Sequence, residues 1–446
     1  MKPNILFLVV DSFRADQFYG KEKSSFTPTL DKLRDNGVYF SQNISSADGT
    51  TLSLNTIFNS VFPSVTGTRE IKLLLKSPNY LSSLIDEDYS IYTVMPKVTS
   101  FSPLLNISSN EYSYSGESPV ESLFDGVGEK ILEILNSPMK SPWFFYIHIT
   151  DLHWPLTVPK KFEDKKFGKD KYDRVVSSID YYLKKIIDML NLEETLIIIT
   201  SDHGHPIPFD EKDNTSFEPD LKLGLKVWGK IMPKFSHKFG ASIFNKTREV
   251  IKNRRLEEAN QNLTKYEIRS RLPPFIQSLF DEIVRTPLLF SGYNMKSLII
   301  KQQTRSIDIF PTIFDLLGFN HSEKIQGKSL LPLIRGDNSE ENPCYMHTIP
   351  FEKLSDNDQV GIRTSKFKYF RHARNPSLNI HLYDLNQDPL ENKNIYQENP
   401  DKIHEMEEII AEFSNFTNNE VLDEDEVLDE DEEAKIREEL KRLGYL

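Results

Sequence analysis

A single cysteine, Cys344, is all the thiol chemistry that 446 residues offer. One thiol excludes an internal disulfide framework and any cysteine-rich zinc site, and its expected place is a buried, inert one. No apolar run approaches the roughly 18 residues of a membrane span. The first residues are apolar but lack a cleavage site and run straight into Asp11, so they read as a core strand rather than a leader. A cytoplasmic chain is the expectation. The net charge of -13 argues against a nucleic-acid partner, but it is unevenly placed: Glu420 to Glu433 holds ten acidic residues and no basic one. Without that stretch the chain is close to balanced. Its length and ordinary composition suit one large α/β domain with additions, or two to three domains.

What the sequence does hold is a set of short apolar runs that stop abruptly on charged residues. Asn4-Ile5-Leu6-Phe7-Leu8-Val9-Val10 ends on Asp11, and Leu196-Ile197-Ile198-Ile199-Thr200 is followed at once by Ser201-Asp202-His203-Gly204. Runs of this length and β-branched content predict strands buried on both faces of a parallel sheet. Groups placed just past their carboxyl ends would meet in the crevice where α/β sheets bind ligands.

Between and after these runs, strand and helix patterns alternate. Thr27 to Leu33 starts a helix with Pro28 in its first turn, and Leu52 to Phe58 begins another behind Gly49-Thr50-Thr51. Ser90 to Met95 is a strand leading to Lys97. Trp143 to Ile149 is a strand that carries His148 and runs out into Thr150-Asp151-Leu152-His153. Tyr172 to Leu190 has apolar residues at helical spacing, Ser306 to Leu317 is a helix containing Pro311, and Asn394 to Phe416 is helical. About Cys344 to Leu385 reads as a smaller antiparallel sheet. The predicted class is therefore α/β, a mostly parallel sheet covered by helices.

Residues 206–285 interrupt the alternation. From Leu221 to Leu256 there are ten Lys or Arg against one acid, Glu249. This stretch reads either as a solvated face or as a basic cover that recruits an anionic substrate or makes a peripheral contact with an anionic membrane surface.

Asp11, Asp202 and His203 are oxygen and nitrogen donors suited to Mg, Mn, Ca or Zn. A threonine hydroxyl is a poor nucleophile until a metal or a base activates it. Thr50, at a predicted helix start, is either a cap or such a nucleophile, with Thr51 as the neighbouring candidate. Lys97, His148 and His153 follow or end strands, where they could neutralise a tetrahedral anion or protonate a leaving group. Asp151 and His153 offer donors for a second ion.

Taken in order, Pro3-Asn4-Ile5-Leu6 to Asp11, Thr27-Pro28-Thr29-Leu30-Asp31-Lys32-Leu33, Phe62-Pro63, His153-Trp154-Pro155, Thr200 to Gly204, Thr286 to Leu289, Ile307 to Thr312, Gly327-Lys328-Ser329-Leu330, Arg363 to Lys368 and Leu382 to Glu391 resemble the sulfatase family of the alkaline phosphatase superfamily, to about Phe416. The resemblance implies an alkaline phosphatase-like core with a smaller C-terminal antiparallel sheet and helix. It also implies a catalytic part over 1–340 with a basic insertion at 206–285, a C-terminal subdomain over 341–416, and an acidic spacer with a terminal helix over 417–446. It places metal ligands on Asp11, Asp202 and His203, the nucleophile on Thr50, and anion-binding groups on Lys97 and His153; beside it, the reading of the residues adds Thr50 as a further ligand and His148 at the substrate. One divalent ion rather than two is expected.

The departures from the family pattern select a subclass. Sulfatases proper carry a convertible Cys or Ser within Cys/Ser-x-Pro-x-Arg, where this chain has Thr50-Thr51-Leu52-Ser53-Leu54. The family's second aspartate is Ser12, and the histidine two residues beyond its lysine is Thr99. A threonine nucleophile resembles that of phosphodiesterase and lipoteichoic acid synthase-like phosphotransferase relatives. The expectation is thus a metal-dependent hydrolase or transferase of a phosphoester, its anionic substrate glycan- or lipid-linked. The alternatives are a sulfuric ester hydrolase without formylglycine and a catalytically silent anionic-glycan-binding protein.

Overall fold

The structure, a computed structural model, describes residues 2–62, 73, 75, 79–105, 107–108, 110–115, 121–207, 250–251, 254–255, 257–258, 260–270, 278–320, 325–348, 357–419 and 438. Pro63 and most of both the basic stretch at 221–256 and the tail at 417–446 lie outside the described residues. The chain forms two compact units, one from Met1–His205 with Gln277–Leu446 and the other from Pro206–Ile276. In the second, Lys265–Arg269 is a single helical turn. Thr264 caps it, its hydroxyl accepting from the Glu267 amide at 3.2 Å while the Glu267 carboxylate accepts from the Thr264 amide at 2.7 Å.

The first unit is organised around strand β1, Asn4–Val10, buried from Ile5 onward. It is followed by β2 (Val38–Ile44), β3 (Ser90–Lys97), β4 (Asn110–Ser115), β5 (Trp143–Ile149), β6 (Thr195–Thr200), β7 (Arg285–Gly292), β8 (Leu298–Ile300) and β9 (Thr304–Arg305). They form one sheet in the order β4-β3-β5-β1-β6-β7-β2-β8, with β9 beside β2. The five strands from β4 to β6 are mutually parallel, as expected from the apolar runs of β1, β5 and β6, whereas β4 is a polar edge strand that no such run announced. The strand at Thr286 continues the sheet but in the opposite sense, β7 pairing antiparallel with both β6 and β2. Mixed sheets of this kind are common among large α/β folds. The carboxyl ends of β3, β5, β1 and β6 therefore lie side by side and deliver Lys97, the loop of Thr150 to His153, Asp11, and Asp202 with His203 to one edge.

The helix Thr50–Asn59 is buried at every position from Thr51 to Asn59, so it is a core helix and not an amphipathic one. Phe58 anchors it, its ring 6.2 Å from Phe7 of β1, 5.3 Å from Tyr146 of β5 and 5.4 Å from Phe310. Truncating a ring so placed costs roughly 3–5 kcal/mol. This packing holds the amino end of the helix, and Thr50 with it, over the ends of β1 and β6. The expected helix Ser306 to Leu317 divides into a 3-10 turn, Ser306–Asp308, and an α-helix, Ile309–Leu317. Pro311 falls in the first turn of the latter, where its missing N–H has no helical partner to lose.

The smaller sheet contains β10 (Cys344–His347), β11 (Gln359–Arg363), β12 (Phe367–His372) and β13 (His381–Asp384), all antiparallel. Ile362, Tyr369, Phe370 and Leu382 pack there with Met406 and Ile410 of the helix Pro400–Asn419. Several contacts join this sheet to the segments that carry the site. His347 bridges to Ala47, donating its amide to Ser46 O at 3.0 Å. Arg363 holds Asp281 through two bonds of 2.9 and 2.8 Å, and the fully buried Lys368 lies 2.9 Å from both Asp281 and Glu391. Burial pushes Glu391 up to about 7 although Lys368 opposes it, whereas the cations Arg363, Lys368 and Arg285 outweigh burial at Asp281 and hold it well below the usual carboxylate range. Among the described residues no helix is long and apolar enough to cross a membrane.

Candidate metal centre and active site

Asp11 follows β1 directly, and Ser12 then turns the chain with a left-handed φ of 63°. Serine pays for that conformation, and here it gains two bonds: its amide donates to Asp202 Oδ1 at 3.1 Å and its hydroxyl to Asp11 Oδ1 at 2.6 Å. Ser12 thus ties the two carboxylates together at the position where the resemblance led to a second aspartate. Asp202 Oδ1 also accepts from the His203 amide at 2.8 Å, while its Oδ2 is buried without a hydrogen-bond partner among the described residues.

Ligand atoms of Asp11, Asp202 and His203 all lie within 4.8 Å of one another. His203 Nε2 is 3.6 Å from Asp202 Oδ2 and 3.9 Å from Asp11 Oδ1. The tautomer of His203 follows from its other nitrogen. Nδ1 lies 2.7 Å from Gly204 O, and a carbonyl only accepts, so Nδ1 carries a proton and, in the neutral ring, Nε2 presents its lone pair to the carboxylates. Gly204 is needed for this turn: a Cβ on it would meet Glu282 O at 2.2 Å, and its amide donates to Ile283 O at 2.6 Å.

Thr50 Oγ1 is 3.2 Å from His203 Nε2. When the ring is neutral that nitrogen accepts and the hydroxyl is the donor. Of the two adjacent threonines, Thr50 has its hydroxyl at the cluster, while Thr51 is buried within the helix. Burial disfavours the ionised Asp11, but the imidazoles of His148, His153 and His203 outweigh it and hold the carboxyl below the usual range. Burial likewise pushes His203 down, and the carboxylates of Asp202 and Asp11 more than reverse it, leaving His203 raised.

The other expected residues fall into place less uniformly. His153 is buried, with its amide on Thr150 O at 2.9 Å, and it is near enough to Asp11 to favour the ionised carboxylate there. Lys97 ends β3 with an exposed side chain at the same sheet edge. His148 has no exposed surface, which sets it behind Asp11 rather than in the crevice. Asp151 is outside the cluster, its carboxylate taken by the Leu123 amide at 3.2 and 3.3 Å. Among the described residues, Asp11, Asp202 and His203 are the only three or more such side chains close enough to share an ion. Two buried carboxylates, an orphan carboxylate oxygen and a directed imidazole lone pair fit one divalent cation, since uncompensated buried negative charge is expensive. The Tyr146 partner of His148 was not legible as a site residue. Ser12 was visible only as the place of a missing aspartate, since a left-handed serine has no sequence signature, and Gly204 only as the glycine directly after Asp202-His203.

The fold and this cluster together define a mixed α/β protein with a candidate cation site at the carboxyl edge of its parallel strands. Residues 3–319 match the model of the sulfatase family, and residues 276–418 match that of the N-sulphoglucosamine sulphohydrolase C-terminal region. The chain belongs to the sulfatase family. Arylsulfatase K of Mus musculus is 28% identical over 146 residues, covering 31% of this chain and 26% of that protein. Choline-sulfatase of Rhizobium meliloti is 33% identical over 129 residues, 28% of this chain and 24% of that protein. These similarities span about a quarter of each relative's length. The phosphonate monoester hydrolase of Agrobacterium radiobacter shares the fold, with a TM-score of 0.66 over 93% of this chain and 96% of that one at 14% identity.

Proposed function

We propose that this protein is a divalent-metal-dependent hydrolase or transferase that attacks a phosphoester with the Thr50 hydroxyl. The observation that carries the reading is the placement of Thr50 Oγ1 at 3.2 Å from His203 Nε2, beside Asp11 and Asp202. The sole cysteine supports it indirectly: Cys344 lies buried in the small sheet and is no source of a formylglycine.

Asp11, Asp202, His203 and Thr50 would hold the ion. When bound, it would lower the pKa of the Thr50 hydroxyl and offset charge on the substrate anion. An imidazole in the donor set favours Mn or Zn over Ca. Thr50 Oγ attacks phosphorus in line and the P–O bond to the leaving group breaks, giving a phosphothreonine that water or an acceptor hydroxyl then cleaves. The free amides at the start of the Thr50–Asn59 helix and the ammonium of Lys97 face the charge on the anion. His153 supplies the leaving group's proton. In this reading residues 1–340 carry the chemistry and 341–416 brace it, the substrate is an anionic ester on a glycan or lipid, and the protein works in the cytoplasm.

A second reading, sulfoester hydrolysis without formylglycine, is favoured by the names of the relatives, arylsulfatase K and choline-sulfatase. Nitrophenyl esters of bis-phosphate, mono-phosphate and sulfate, each assayed with Mn, Mg, Ca and Zn, separate the two. The proposal expects phosphoester turnover and, by intact mass, a phosphate on wild type that Thr50→Ala lacks. Turnover of sulfate alone sinks it, and binding of anionic glycans without turnover of any ester leaves a silent binding protein.

A further inference from the structure

His148 occupies a position that substrate cannot reach. It is completely buried in β5, one strand from β1, where it pairs in register with Val9, two residues before Asp11. Strand periodicity places Tyr146 and His148 on one face, and Phe101 covers the imidazole at a ring distance of 5.4 Å. The Tyr146 hydroxyl lies 2.8 Å from His148 Nδ1. That nitrogen is its one hydrogen-bond partner among the described residues, and a buried phenol needs an acceptor for its proton. Tyr146 therefore donates to Nδ1, and the ring proton sits on Nε2.

Nε2 is buried without a hydrogen-bond partner among the described residues and faces Asp11 Oδ2 at 4.0 Å. Buried orphan donors are rare, and this one is aimed at the one oxygen of Asp11 that Ser12 does not hold. A protonated nitrogen cannot ligate a cation, and a sealed ring cannot touch substrate. We propose that His148, fixed by Tyr146, is a positioning residue that donates Nε2–H to Asp11 Oδ2 and orients this carboxylate toward the cation site. Ser12 and His148 would then hold the two Asp11 oxygens from opposite sides. Partners of this kind behind a metal ligand typically change metal affinity by about 10–100-fold.

The inference rests on the cation site proposed above, but not on the ester attacked there. The test is Mn2+ titration of the full chain by calorimetry, for wild type, His148→Leu, His148→Gln and Tyr146→Phe. The expected result is a loss of about 10–100-fold in Mn2+ affinity for His148→Leu. Glutamine, whose amide N–H reaches where Nε2–H does, should restore most of it, and Tyr146→Phe should fall between. In metal-free wild type, 15N correlation spectra should show His148 as the Nε2–H tautomer, a readout independent of whether any variant folds. An Nδ1–H tautomer, unchanged Mn2+ affinity in His148→Leu, or a raised KM with unchanged Mn2+ affinity overturns the proposal. Mn2+ binding with the expected losses but no turnover of any ester would leave it standing and sink the phosphoester reading instead.

Discussion

The Thr50 hydroxyl meets the imidazole of His203 at 3.2 Å across 153 residues of chain. Neither position controls this alone: Thr50 is set by a helix packed on Phe7 and Tyr146, and His203 by the carbonyl of Gly204. If this pair is the nucleophile and its neighbour, Thr50→Ala lowers kcat about a thousandfold or more. Thr50→Ser keeps part of the activity, and Thr51→Ala stays within a few-fold of wild type. Steady-state kinetics on the best nitrophenyl ester checks all three, and a Thr51→Ala loss as deep as that of Thr50→Ala moves the nucleophile.

Cation binding should also stabilise the fold. With Mn2+ at a hundred times its Kd, stability rises by about 2.7 kcal/mol, and chelation removes the gain. Asp202→Asn should abolish this increment. Thermal melts with Mn2+ and with EDTA read it directly, and equal increments in wild type and variant would place the ion elsewhere.

Gly204→Ala tests the turn behind His203. Its methyl would lie 2.2 Å from Glu282 O, a backbone atom that cannot swing aside. The expected cost is about 1–3 kcal/mol by overpacking, read as a lower urea midpoint, with weaker Mn2+ binding because the Gly204 carbonyl no longer fixes Nδ1. Undiminished stability and affinity together would show that the turn relaxes freely.

Asp151 predicts a pH effect of definite sign. Burial pushes its carboxyl from 3.8 up to about 7, with the Leu123 amide opposing and Asp125 adding. Between those values the folded state keeps a proton that the unfolded state has lost, so this contribution is full below about 3.8 and declines as pH rises to 7. Asp151→Asn removes the titration. Relative to wild type the variant should gain on the order of 2–4 kcal/mol between pH 4 and pH 8. Urea midpoints across that range check it, and a flat difference refutes it.

Asp281→Asn probes the buried charges under the small sheet. The change leaves Arg363 and Lys368 without their shared carboxylate, and uncompensated buried charge costs about 3–5 kcal/mol. Chemical denaturation measures the loss. A cost below about 1 kcal/mol would show that Glu391 compensates for it.

How much of this was legible in the sequence depends on the kind of signal. Apolar runs ending on Asp11 and before Asp202-His203 announced the central strands and the side chains that gather at their ends, because buried parallel strands need unbroken hydrophobicity and their ends need not. The direction of β7 was hidden, since a strand buried on both faces reads alike either way round. The place of His148 was hidden for the same reason: an imidazole near a strand end reads as a crevice residue until packing shows it sealed by Phe101 and Tyr146. Thr50 against Thr51 was open in the sequence because one residue along a helix turns the side chain by about 100°, and only the contacts of Phe58 fix that rotation.

The bridge from His347 to Ala47 and the grip of Arg363 on Asp281 give the smaller sheet a bearing on events it never touches chemically. One steadies the approach to Thr50 and the other the floor beneath Gly204, so the two partners of the 3.2 Å contact are braced from a common foundation. A shorter chain that stopped before Cys344 would retain every proposed ligand and the proposed attacking hydroxyl, yet it would lose the bracing that Ala47 and Asp281 receive from the small sheet.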